Sequence, residues 1–207
     1  MTPSTHKAAG SQTADPQLAE LAKQARDGNR RAFEQLIDRY QGDIHRMIYY
    51  RIRTRMDAED LTQDVFVRAY RSISRLREPE RFRSWLFTIA VNRVNDYLRK
   101  KRVRSIFKSS DEGTEVQPVA ADFENRPEAL EQVLKDDFWR HIERIAKKLS
   151  KMEREVFMLR FLDNLNINEI AQTLKKSEST VKTHLYRALT KFKKEKELRQ
   201  FLQEDLR

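Results

Sequence analysis

The chain has 207 residues, with 42 Lys and Arg against 32 Asp and Glu, a formal net charge of +10 and no cysteine. Without cysteine it can build no disulfide scaffold, thiolate zinc site, iron–sulfur cluster or cysteine nucleophile. Its length fits one domain or two small ones rather than a large enzyme interior. The excess positive charge predicts a polyanionic partner, with nucleic acid ahead of an anionic membrane surface.

Residues 1–16 are neutral overall and lack the apolar run of a signal peptide, so they are expected to form a disordered extension of a cytoplasmic protein. Residues 17–104 carry +9, residues 105–127 carry −3 and residues 128–207 carry +4. From Glu128 to the C-terminus there is neither Gly nor Pro, and strands need frequent turns. The expected fold is therefore all-α, with two small helical domains, 17–104 and 128–207. Residues 105–127 mix Ser, Asp, Glu, Gly and Pro without periodicity, which predicts a flexible acidic linker between them. The longest charge-free apolar run, Trp85 to Val91, is too short to span a bilayer, so no direct membrane insertion is expected.

In chain order, Asp15-Pro16 predicts the cap and first turn of a helix stopped by Gly28. A second helix is predicted from about Asn29 to Thr54, a third from an Asp57 cap to Ile73, and a fourth from about Phe82 to Arg102. In the third, Leu61, Val65, Phe66, Ala69 and Ile73 share one face and leave Asp60, Gln63, Asp64, Val67 and Arg71 outward. In the fourth, Leu86, Phe87, Ala90, Val91, Val94, Tyr97 and Leu98 form a wide apolar arc. The remaining strip holds Thr88, Asn92, Asn95, Asp96 and Arg99, bordered by Trp85 and Ile89. Amides and hydroxyls are weak helix formers, and an amide can both donate to and accept from the edge of an unstacked base. Arg75, Arg77, Arg81 and Arg83 before this strip, and the basic run Arg99 to Arg104 after it, suit phosphates.

After the linker, apolar residues recur at helical spacing from Ala129 to Leu149. Ser150 with Glu153, and Asn166 with Glu169, have the spacing of capping boxes, and Ser177 is placed to cap a long final helix. Ile167, Ile170, Ala171 and Leu174 stripe the short helix, and the next opens three residues later, as in a helix-turn-helix. Val181, Leu185, Ala188, Leu189 and Phe192 fall on one side of that last helix. Ser179, Lys182, Thr183, Tyr186, Arg187 and Thr190 fall on the other, with a lysine-rich stretch from Lys191 to Lys196 beyond. Hydroxyls with an arginine suit phosphates and base edges. Each of these polar faces would equally suit a solvated bundle helix.

Taken together, DAEDLTQDVFVRAYRSI at 57–73, RFRSWLFTIAVNRVNDYLRKKR at 81–102 and NINEIAQTLKKSESTVKTHLYRALTKFKK at 166–194 resemble the sigma-70 family of bacterial transcription initiation factors. The match is to its small two-domain extracytoplasmic-function class, and it covers nearly all of residues 17–196. The resemblance implies that 17–104 is a region 2 domain and 128–207 a region 4 domain. Asp60, Gln63, Asp64 and Val67 are then implied to bind core RNA polymerase. Arg75, Arg77, Phe82, Thr88, Asn92, Asn95 and Arg99 are implied to hold the opened minus-ten strand, with Asn92 in a pocket for a flipped base. Ser179, Lys182, Thr183, Tyr186 and Arg187 are implied to read the minus-thirty-five duplex, and the acidic linker to thread toward the polymerase cleft. Lys175-Lys176 stands where many such turns carry glycine, and Trp85 stands without the aromatic cluster of housekeeping relatives.

The implied function is an alternative, stress-responsive sigma factor that directs core polymerase to particular promoters, helps open them and is controlled by an anti-sigma factor. No catalysis, cofactor, metal or small-molecule substrate is expected. A conventional DNA-binding regulator with a sensing or dimerising first domain is the competing reading. An enzyme finds little support, because His6, His45, His141 and His184 stand far apart and no HExxH, P-loop or GxSxG pattern occurs.

Overall fold

The computed structural model describes residues 15–108 and 148–193, the side chains of the first segment through residue 104. The chain divides into two compact units, residues 1–103 and 104–207. Seven α-helices and no strand occur among the described residues. The pattern predicted over residues 129–147, most of the linker, residues 1–14 of the N-terminal extension and Lys194 to Lys196 lie outside them, while Asp15 and Pro16, the end of that extension, already belong to the start of the first helix.

In the first unit, α1 (Pro16–Arg26) opens with the Asp15 carboxylate accepting the Gln17 amide and with proline at the first helical position. It closes where the Asn29 amide reaches back to the Gln24 carbonyl at 2.9 Å and Gly28 takes φ +101°. Asn29 then caps α2 (Arg30–Ile52) through its side chain, which accepts from the Ala32 amide. Phe33, Leu36, Tyr40, Ile44, Met47 and Ile48 recur at helical spacing and are buried.

Helix α3 (Arg55–Ser72) opens earlier than the sequence predicts. Thr54 occupies the cap position without a side-chain cap bond, and Asp57 lies inside the first turn. Its carboxylate instead accepts from the Tyr97 hydroxyl of the following helix at 2.6 Å, a tertiary bond 40 residues away in sequence that local spacing does not show. Two short 3₁₀ turns, Ile73–Arg75 and Pro79–Arg81, then lead into α4 (Phe82–Lys108). This helix runs past the Arg102 end point and into the segment predicted as linker, because no Gly or Pro interrupts it before Gly113. Its arc from Leu86 to Val94 is buried as expected, but Leu98 is exposed.

In the second unit, α5 (Lys151–Phe161) and α6 (Ile167–Leu174) both begin with complete capping boxes, Ser150–Glu153 and Asn166–Glu169. Helix α7 (Glu178–Lys193) is started by Ser177, whose Oγ accepts the Thr180 amide at 3.2 Å. Leu149, Phe157, Ala188 and Phe192 form a small core, with the Phe157 and Phe192 rings stacked at 4.3 Å.

The two glycines among the described residues of the first unit test this account in opposite directions. Both have open space where a Cβ would stand, but Gly28 has positive φ and Gly42 lies within α2. Gly28→Ala is expected to lower the protection of α1 and α2 amides against hydrogen exchange by about 1–2 kcal/mol. Gly42→Ala is expected to raise it in α2 by about 0.5–1 kcal/mol.

Candidate functional site

Helix α3 is held by its apolar side, with Val65 and Ala69 fully buried and Leu61, Phe66 and Ile73 nearly so. That fixes Asp60, Gln63 and Val67 outward. Val67, 46% exposed, stands one turn from Tyr70, whose ring meets the buried Phe33 edge-on at 5.1 Å while remaining largely solvent-facing. Tyr70 belongs to this outward surface and was missed from sequence, although its spacing of three from Val67 could have placed it there. Asp64 is half-buried and already engaged: its oxygens accept Arg68 Nε at 3.3 and 3.4 Å, and Arg93 pairs with it from α4.

The link between α3 and α4 is pinned by the buried side chains of Ile73, Leu76 and Phe82, leaving Arg75 and Arg77 exposed between the pins. Phe82 is corrected from a DNA contact to a support. It is only 3% exposed, with its ring 5.6 Å from Tyr40 and 5.7 Å from Trp85. The resemblance implied a contact there, whereas the apolar ring is drawn into the core. Arg81 pairs with Glu78 at 2.8 Å, and Arg83 lies over the Phe87 ring.

Along α4, Leu86, Phe87 and Ala90 are fully buried, and the opposite strip faces out. Asn92 and Arg99 are exposed; Thr88, Asn95 and Asp96 are half-buried. Thr88 donates its hydroxyl to the Ser84 carbonyl at 2.8 Å. Arg99 reaches Asp96 at 3.1 Å.

In the second unit, α6 and α7 form the helix-turn-helix. Lys175 takes the left-handed conformation at φ 52°, so the turn that commonly carries glycine is made by lysine with the same backbone shape. Val181 and Ala188 are buried against the unit, which turns Ser179, Lys182, Thr183, Tyr186 and Arg187 outward; all five are exposed, Tyr186 at 72%. Ser179 bonds to the Ser177 hydroxyl, and Thr183 donates to the Ser179 carbonyl. Asn168 of α6 donates to Glu178 at the head of α7, and Glu178 pairs with Lys182 at 3.4 Å. The Asn168 amide and the Lys182 ammonium hold the Glu178 carboxyl below the ordinary carboxylate value.

Lys191 is not part of a free basic tail. Its ammonium donates to the buried Glu153 carboxylate at 2.6 Å and to the Lys148 carbonyl at 3.3 Å, tying the end of α7 to the start of α5. The Lys191 bond and the Ser150 backbone amide lower the Glu153 pKa against the opposing effect of burial. Among the described residues no group of three or more His, Asp or Glu could hold a metal ion, and no helix is long and apolar enough to cross a membrane.

Comparison with known proteins matches the family model for sigma-70 region 2 at residues 36–104 and that for sigma-70 region 4 at residues 140–192. The ECF RNA polymerase sigma factor BldN of Streptomyces coelicolor is 32% identical over 185 residues, covering 89% of this chain and 67% of that protein. The ECF RNA polymerase sigma factor SigW of Bacillus subtilis is 29% identical over 182 residues, covering 86% and 96%. Among solved structures, CnrH in complex with the cytosolic domain of CnrY is similar with a TM-score of 0.60 and 25% identity, covering 84% of this chain and 93% of that one.

The Glu153–Lys191 bond carries a pH signature. Because the folded Glu153 carboxyl lies below its ordinary value of 4.5, its stabilisation is complete above about pH 4.5 and is lost as pH falls through the lowered value. Lys191→Met is therefore expected to destabilise the α5–α7 unit by about 1–2 kcal/mol at pH 6, a figure reduced for the exposure of the lysine. In hydrogen exchange of α5 and α7 amides, the deficit should shrink as pH drops below 4.5.

Proposed function

The chain belongs to the extracytoplasmic-function branch of the sigma-70 family, and from that premise we propose how its surfaces divide the work of an alternative sigma factor. It binds core RNA polymerase, directs it to particular promoters and helps open the DNA. Asp60, Gln63, Asp64 and Val67, joined by Tyr70, meet polymerase on α3. Arg75, Arg77, Thr88, Asn92, Asn95 and Arg99 hold the opened minus-ten strand, and Phe82 positions the loop from beneath. Ser179, Lys182, Thr183, Tyr186 and Arg187 enter the major groove at the minus-thirty-five element. Residues 17–104 and 128–207 act as the region 2 and region 4 domains on either side of the acidic segment.

The observation that carries this reading is α4. Its apolar arc is sunk in the core while an amide-rich strip is held outward in mid-helix, with exposed arginines on the approach and a basic run beyond. A rigid strip of this kind can hydrogen-bond unstacked bases while the flanking cations meet phosphates. The protein performs no covalent chemistry, works in the cytoplasm, and is held inactive by an anti-sigma factor. The likeness to CnrH, whose structure was solved with the cytosolic domain of CnrY, supports that last assignment.

Run-off transcription with purified core polymerase over a fragmented genomic library tests the reading. Promoter-dependent transcripts that need this chain are expected, and their absence from every fragment would return the protein to the class of conventional DNA-binding regulators. Asn92→Ala should slow open-complex formation about tenfold or more with core affinity unchanged, as loss of a base contact worth about 1–3 kcal/mol requires. Arg187→Ala should reduce discrimination at the minus-thirty-five element by about 1–3 kcal/mol while leaving binding to minus-ten single strands intact.

A further inference from the structure

Arg93 lies between the two surfaces of the first unit. Its side chain is only 18% exposed, which shields its ion pairs from solvent far more than those of the surface arginines. From α4 it pairs through Nη2 with Asp64 on α3, and its Nη1 stands 3.9 Å from Asp96, three residues on along its own helix. Its Nε is buried and makes no hydrogen bond, so only the terminal nitrogens hold the group in place.

The two carboxylates belong to different surfaces. Asp64 is in the row assigned to polymerase, where Arg68 holds it from one side and Arg93 from the other. Asp96 is the one carboxylate within the strip assigned to DNA, and Arg99 reaches it from the outer side at 3.1 Å. An uncompensated negative charge there would repel the phosphates that the strip must accept. A buried guanidinium also needs anionic partners, because an unpaired buried charge is strongly unfavourable.

We propose that Arg93 is a positioning residue shared by both surfaces: it fixes Asp64 for polymerase docking and cancels the charge of Asp96 so that α4 can take up the opened strand. This rests on the sigma-factor reading above. Arg93 itself contacts neither partner. Loss of Arg93 therefore acts on each partner through a different carboxylate, and the two effects separate genetically.

The test uses the full-length chain, reconstituted with core polymerase, with folding checked by circular dichroism. Core affinity is titrated directly, and holoenzyme affinity is measured for the non-template single strand of a promoter found by run-off transcription. Arg93→Met is expected to weaken both by about three- to tenfold. Adding Asp96→Asn should restore the DNA arm and not the core arm, a split that a general packing defect would not produce. Conversely, Asp64→Asn should weaken core binding less in the Arg93→Met background than in the parent.

The inference is overturned if Arg93→Met folds and leaves both affinities unchanged, or if Asp96→Asn gives the same gain with Arg93 present as without it. Should Arg93→Met fail to fold, Arg93→Lys keeps a cation beside Asp96 and must hold the Asp96→Asn gain at the parent level; a larger gain is contradictory. If the parent holoenzyme yields no promoter-dependent transcript, the sigma reading itself fails. If it yields transcripts and the cycles are additive, this inference alone fails.

Discussion

The crossing of α3 and α4 sets the geometry on which both surfaces of the first unit depend. The Tyr97 hydroxyl closes on the Asp57 carboxylate at 2.6 Å near the start of α3, and Arg93 closes on Asp64 about two turns further along. A hydrogen bond to a charged group is worth about 1.5–3 kcal/mol, but the consequence for function is register. With two polar clamps to α3 and a buried apolar arc from Leu86 to Val94, α4 cannot rotate without breaking both clamps. Rotation by one residue, about 100°, would carry Asn92 off the outward strip and bring apolar side chains into its place. The buried arc cannot follow such a turn, since Leu86, Phe87 and Ala90 have no solvent-exposed surface left to trade. One crossing thus fixes which side chains α3 and α4 each turn outward.

The second unit reaches a fixed geometry by other means, because its apolar core is small. Two capping boxes define where α5 and α6 begin, and the left-handed Lys175 defines where α6 ends. Glu153 does two jobs: it satisfies the Ser150 amide as part of its own cap and accepts Lys191 from the far end of α7. Helix α7 is thereby anchored at its head through Asn168 and Glu178 and near its end through Lys191. Between these anchors the exposed face carries short polar groups, one arginine and the tyrosine ring of Tyr186. Several hydroxyls there are already oriented by bonds within the helix, as Thr183 is by the Ser179 carbonyl.

How far the sequence disclosed this depended on the range of the interaction involved. The capping boxes, the Asp15 and Asn29 caps and the buried faces of α3 and α7 were legible because cap and helix lie within four residues of each other. Asp57 was misplaced because its partner, Tyr97, lies 40 residues away, and an aspartate near a helix start looks the same whether it caps or clamps. Phe82 and Leu98 failed in opposite directions. Periodicity places an apolar residue on a face but does not say whether another element covers it, so Leu98 was read as core; Phe82 was placed among the contacts by the resemblance, which does not show that its ring is buried. Lys191 was read with its lysine neighbours as a basic tract, since composition cannot show that a buried glutamate waits beneath one of them. Arg93 had only its spacing to Asp96 to distinguish it from the other arginines of a basic helix. The outward strip of α4 was legible because four weak helix formers on one side of a strongly apolar helix need a reason to be there.

The central claim is that neighbouring helices in one small unit face two different partners, α3 toward polymerase and α4 toward the opened strand. Site-specific photocrosslinking tests it most directly, with a photoreactive residue at position 67 or at position 92 of the full chain in an initiation complex on a mapped promoter. The account predicts that position 67 crosslinks to a polymerase subunit and position 92 to the non-template strand of the minus-ten region. Crosslinking of position 92 to polymerase alone, or of position 67 to DNA, would contradict it.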